Sequence, residues 1–143
     1  MQAVTFAGPG LGLARFRLGP RTGDRGSVAY TGEFEVFVRT AGAEFTAVRE
    51  IAVFREDIEH FHADLARLVD GASGTARLEP LSDFRLVVAF GDGEGELAGF
   101  VEDEAIGAVL NFSGIATDAS YLALAVRELA ALIDAGADGS NGS

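Results

Sequence analysis

Phe34, Val36 and Val38 alternate with Glu33, Glu35, Phe37 and Arg39, the two-residue period of a strand with one buried face. Upstream, Leu11, Leu13, Phe16 and Leu18 predict a strand near 11–18, and a loop follows over Pro20–Ser27. Thr40-Ala41-Gly42 turns the chain, and a further strand over about 44–53 feeds directly into a helix. In that helix Ile58, Phe61, Leu65, Leu68 and Val69 fall on one apolar stripe. Glu56 and Asp57 in its first turn and Arg67 in its last suit the helix dipole, and Gly71 ends it.

The second half of the chain repeats this grammar. Thr75–Glu79 predicts a short strand, broken by Pro80-Leu81-Ser82-Asp83, and Phe84, Leu86, Val88 and Phe90 then alternate with Arg85, Val87 and Ala89. Gly91-Asp92-Gly93 is the clearest hairpin signal, because Asp-Gly tolerates the positive φ of tight turns. A return strand over about 95–102 turns at Asp103-Glu104, and Ile106, Ala108, Leu110 and Phe112 continue the alternation. Asp118 is placed to cap a last helix whose stripe is Leu122, Ala125, Val126, Leu129, Leu132 and Ile133. From Gly136 onward nothing is available to bury, which predicts a disordered tail over 136–143.

At an offset of 64 residues the two strand-to-helix segments overlay: Ile51-Ala52 on Ile115-Ala116, Leu65-Ala66 on Leu129-Ala130, Leu68 on Leu132 and Asp70 on Asp134. Two readings remain open: a pair of related β-meander-plus-helix halves, or the chance match of amphipathic helices that follow strands. Two apolar stripes and several half-buried strands need each other's cover. The expected fold is therefore a single α+β domain over 1–135, an antiparallel sheet of six to eight strands carrying two helices on one face.

Charge narrows the partners. The 143 residues carry 22 acids against 11 basic residues, a net charge of −11. Every basic residue is arginine, six of them within residues 1–49 against four acids. Residues 50–143 hold five arginines and eighteen acids, so the acidic field belongs to the later part. Phosphate backbones need a basic patch, so nucleic acid is not the expected partner. No apolar run approaches the ~20 residues that span a bilayer. The start, Met1-Gln2-Ala3-Val4, has no basic segment leading into an apolar one, so the expectation is a cytoplasmic protein that does not engage membranes.

Candidate chemistry is sparse. The absence of cysteine removes disulfides, thiol nucleophiles and cysteine-ligated zinc. His60 and His62, two positions apart on a helix, point to different faces and cannot share a metal. Asp92-Gly93-Glu94-Gly95-Glu96 resembles the start of a calcium loop, but Leu97 stands where the loop needs glycine for its bend. Gly8-Pro9-Gly10-Leu11-Gly12 does not match a dinucleotide fingerprint and no helix follows it. The expectation is thus no catalytic residue, no metal and no cofactor.

Several segments in order resemble a family of small bacterial proteins, the WapI-family immunity proteins. They are Phe54-Arg55-Glu56-Asp57-Ile58-Glu59-His60-Phe61-His62-Ala63-Asp64-Leu65, then Ser73-Gly74-Thr75-Ala76-Arg77-Leu78-Glu79, and Thr117-Asp118-Ala119-Ser120-Tyr121-Leu122 at the start of the last helix. With the Gly91-Asp92-Gly93 hairpin between them they span about 30–134. The resemblance implies a non-catalytic protein-binding domain that neutralises a cognate toxin. The alternatives are a small enzyme using a carboxylate pair, which needs those acids inside a pocket, and a ligand-binding or scaffold module. If a basic protein such as a toxin domain is the partner, the densest acidic stretch is where it would dock. That stretch is Asp92, Glu94, Glu96, Glu102, Asp103 and Glu104, with no arginine between residues 91 and 104. The competing reading is that these acids keep an exposed edge strand from pairing with other chains. The sequence does not set the oligomeric state.

Overall fold

The computed structural model describes residues 2–6, 12–22, 28–40, 42–79, 84–92, 94–103 and 108–141. Four strands, β1 (Gln2–Thr5), β2 (Gly12–Thr22), β3 (Val28–Thr40) and β4 (Ala43–Phe54), lead into α1 (Arg55–Val69). Four more, β5 (Gly74–Leu78), β6 (Phe84–Gly91), β7 (Glu94–Asp103) and β8 (Ala108–Asp118), lead into α2 (Ala119–Asn141). All strand pairs are antiparallel, and each set of four pairs in chain order as its own sheet.

The fold is α+β with antiparallel strands, but the single sheet of six to eight strands is replaced by two sheets of four. The reason lies in coverage. Two helices can shield only part of one face of an eight-stranded sheet, whereas two sheets laid against each other bury both inner faces and leave the helices to close what remains. Phe34 of the first sheet meets Phe84 and Phe112 of the second, with ring centroids 5.0 and 6.4 Å apart. Gly12 lets the sheets approach, since a Cβ there would lie 2.9 Å from the Ile115 side chain.

The helices cross over between halves. α1 packs chiefly against β5 of the second sheet, α2 against β1 and β2 of the first, and the two helices touch each other. The expected placement of both on one face of one sheet is corrected accordingly. Ile58, Phe61, Leu65 and Leu68 are buried on α1, and Leu122, Ala125, Leu129 and Leu132 on α2. Val69, Val126 and Ile133 of the expected stripes are only partly buried. Each fully buried large side chain contributes about 1.5–3 kcal/mol.

Local signals act as read. Gly71, with φ +112°, closes α1 in a left-handed turn: its N–H donates to Leu68 O at 3.2 Å and that of Ala72 to Arg67 O at 3.1 Å. Asp118 caps α2 by accepting from the Tyr121 N–H at 3.1 Å. α2 is helical to Asn141, within the segment read as a tail; residues 142–143 lie outside the described residues. The sequence reading missed β1, four residues long, and ended two strands early: β2 runs through Thr22 and β8 through Asp118. Residues 23–27 of the expected loop and 80–83 of the expected break lie outside the described residues.

Candidate protein-binding edges

Four strands end the two sheets: β1 and β4 in the first, β5 and β8 in the second. A strand at the end of a sheet offers unpaired N–H and C=O groups to another chain. α2 packs on β1, where the Thr5 N–H donates to Glu128 Oε1 at 3.1 Å, and α1 packs on β5. Over their described residues β4 and β8 meet the helices far less than β1 and β5 do, and β4 also approaches β7 of the second sheet. Among the described residues, the exposed large apolar side chains are Phe45, Val48 and Phe54 on β4, Val109 on β8 and Leu124 on α2. All but one therefore lie on these two strands.

The two open edges differ. β4 pairs with β3 without interruption from Ala43 to Phe54. β8 pairs with β7 through a register shift between Leu97 and Gly99, where three residue steps on β8 match two on β7. Gly114 sits in that bulge with φ +72°. Its N–H donates to Glu96 Oε1 at 3.0 Å. A bulge bends an edge away from regular pairing, so β8 is blunted and β4 is not.

The structure separates the acidic stretch. Asp92 occupies the β6–β7 turn with φ 56°, as the hairpin reading requires, while Gly93 lies outside the described residues. Glu94 and Glu96 begin β7, and Glu102 and Asp103 end it, opposite Val109 and Ala108 of β8. Eight residues of strand separate Glu94 from Glu102, about 27 Å at ~3.4 Å per residue. The six acids are not one patch: Asp92, Glu94 and Glu96 stand at one end of the sheet and Glu102 and Asp103 at the other. Glu104 lies outside the described residues. β7 is an interior strand between β6 and β8, so the reading that its acids guard an edge strand is corrected. Glu96 instead fastens the bulge of the neighbouring edge.

Glu94 and Glu96 border an open depression of about 400 Å³, with Gly74, Phe90, Gly91 and Gly95 also lining it. Both carboxylates are exposed, and such a site attracts cations and accepts hydrogen bonds. Among the described residues no group of three or more His, Cys, Asp or Glu is placed to hold a metal. No described helix is long and apolar enough to cross a membrane.

Two arginines of the Arg-rich first half are paired with glutamates on its own sheet. Arg15 bridges Glu35 directly across the β2–β3 ladder at 2.8 Å, Arg17 stands opposite Glu33, and Arg39 bridges Glu44 at 2.8 Å. In the second sheet Arg85 donates to Glu79 and lies over the Phe100 ring, 5.4 Å from its centroid.

The open β4 edge was missed because residues 44–53 read only as a strand leading into a helix, with no position in a sheet attached. The available signal was that both parities are apolar: Phe45 and Ala47 face one way, and Val48, Ala52 and Phe54 the other. Such a strand cannot hide all of them at the end of a two-layer fold.

No family model and no curated protein matches the chain. Among solved structures, that of the plant transcriptional regulator PBF-2 is similar, with a TM-score of 0.55 at 10% sequence identity. The match covers 99% of this chain and 86% of that one. At this identity the likeness is one of fold.

Proposed function

We propose that this chain is a non-catalytic protein-binding domain, an immunity-type protein that covers a cognate bacterial toxin domain, as its resemblance to WapI-family proteins implies. The observation supporting a binding role is the concentration of Phe45, Val48, Phe54 and Val109 on the two sheet-end strands that the helices touch least. Apolar side chains gathered at open strand edges are characteristic of surfaces that meet another chain. The net charge of −11 adds the long-range component: a basic partner is drawn in and associates faster. PBF-2 is described as a transcriptional regulator. Carrying that role to this chain is disfavoured by its acid surplus and by the pairing of Arg15 and Arg39 with glutamates.

The test is to express the product of the neighbouring reading frame in a host cell with and without this chain: growth arrest by that product alone, relieved on coexpression, is the expected result. In purified form, Asp92→Asn with Glu94→Gln is expected to slow association several-fold at low salt and to flatten its salt dependence. Asparagine tolerates the positive φ at position 92, so the turn is retained. Continued growth arrest together with no measurable association overturns the reading.

A further inference from the structure

We propose that β4 is the seam of a two-fold homodimer, its open edge pairing antiparallel with β4 of a second copy in a register centred on Val48. This goes beyond the toxin-binding reading and takes Phe45 and Val48 for a second copy, leaving Val109 on β8 and the acidic turn at Asp92 and Glu94 to a toxin. β4 ends its sheet, is paired without a bulge along its whole length and carries no proline, and its charges are confined to Glu44, Arg49 and Glu50. Its first eight residues, 43–50, contain no fully buried side chain.

Two independent filters select the register. The first is hydrogen-bond parity. Thr40 and Ala43 close the β3–β4 hairpin across a two-residue loop, so the pair exchanges both hydrogen bonds and the alternation is set from there. Odd-numbered residues of β4 bond to β3, and even-numbered ones turn their N–H and C=O toward the open edge. Even residues must therefore face even residues. The second filter is charge. Centring on Glu50 sets glutamate against glutamate, which is unfavourable. Of the odd-centred registers that parity permits, Arg49 at the centre sets arginine against arginine and Ala47 sets Glu44 against Glu50. Centring on Phe45, Thr46, Ile51, Ala52 or Val53 shortens the overlap.

Val48 remains. Around it Val48 faces its own copy, Phe45 faces Ile51, Thr46 faces Glu50 and Glu44 faces Ala52, with no like charges directly opposed. Val48, 53% exposed, and Phe45, 49% exposed, both gain apolar cover. The result joins two four-stranded sheets into one of eight strands.

The chain lacks cysteine, which permits a direct test of register. In a hydrogen-bonded antiparallel pair the Cα atoms lie about 5.5 Å apart, within disulfide reach. The full-length Val48→Cys variant is expected to form a disulfide-linked dimer on mild oxidation. Thr46→Cys and Glu50→Cys are each expected to form no disulfide-linked dimer when oxidised alone, and to cross-link when mixed. By light scattering on a sizing column the unmodified protein is expected at twice 14.9 kDa. Because each copy carries −11, dimerisation strengthens as salt rises, whereas capture of a basic toxin weakens. The two readings thus fail separately. Val48→Lys is expected to return the mass to one chain with the far-ultraviolet spectrum unchanged, since Glu35 stands opposite position 48 on β3 and pairs with the new charge. A single-chain mass for the unmodified protein at high micromolar concentration and raised salt overturns the proposal. So does a dimer that survives Val48→Lys, or one in which Val48→Cys does not cross-link; either assigns the contact to another surface. Foreign extended peptides bound at β4 by a protein that stays monomeric overturn it as well.

Discussion

Laid over each other at an offset of 64 residues, the two helices bury the same positions: Ile58 with Leu122, Phe61 with Ala125, Leu65 with Leu129 and Leu68 with Leu132. The strands that precede them agree too, Ile51 with Ile115 and Val53 with Thr117 all being buried. The middle strands repeat a finer device. Phe16-Arg17-Leu18 on β2 and Phe84-Arg85-Leu86 on β6 are identical in sequence, and Leu18 and Leu86 each pair with a glycine, Gly32 and Gly99. A Cβ at Gly32 would fall 1.7 Å from Arg17 O, and one at Gly99 1.8 Å from Arg85 O. The halves part at their outer strands, where β4 is regular and β8 is bulged and held by Glu96. Buried positions are thus constrained alike in both halves, while the free edges differ. A shared architecture fixes the core and leaves each edge to its own use.

The strongest challenge to the equivalence is to charge its core. Leu65→Asp and Leu129→Asp each place a carboxylate at a fully buried site, at a cost comparable with the ~5–15 kcal/mol that holds an ordinary domain together. Both variants are expected to be unfolded by circular dichroism. A cooperative melt near the wild-type temperature in either would show that its helix is not part of the core.

Next in size are the paired glycines. Gly32→Ala and Gly99→Ala force neighbouring backbone apart, and each is expected to destabilise by about 1–3 kcal/mol or more in urea titration. Similar losses support the equivalence of the two strand pairs. A large loss at one position with none at the other would break it.

The edge difference is probed by Glu96→Ala, which leaves the Gly114 N–H without its acceptor. A net loss of about 1 kcal/mol or less is expected, because the site is exposed. The more sensitive readout is amide exchange, which should accelerate at Gly114 and leave the β3–β4 ladder unchanged.

The smallest effect is a titration. The hydrogen bond from Arg85 is the main cause that holds the Glu79 carboxyl below its ordinary range, and the charges of Arg85 and Arg77 act in the same direction. A depressed folded-state value means that any stabilisation is present above the ordinary carboxylate pKa and is lost as pH falls through the depressed one. In Arg85→Gln, Glu79 is expected to titrate closer to the ordinary range by nuclear magnetic resonance. An unmoved titration curve would assign the shift to another neighbour.

Local chemistry was legible wherever neighbours along the chain decide it. The stripes of both helices, the cap at Asp118, the stop at Gly71 and the Asp92 turn follow from spacing and φ preference, and the structure contains each of them. The overlay at 64 residues was also visible, and the Phe-Arg-Leu pair, though offset by 68, was available to support a likeness between the halves. What the sequence did not reveal is which edge of which strand remains open. Alternation predicts a buried face, but pairing partners along the sheet are chosen by the whole fold. β7, rich in acids, read as an edge and is interior; β4 read only as a strand leading into a helix and is an edge. Division into two sheets and the exchange of helices between halves likewise depend on how two incomplete layers cover each other. That choice is made by the total apolar area to be buried, a property of the folded whole and of no single segment.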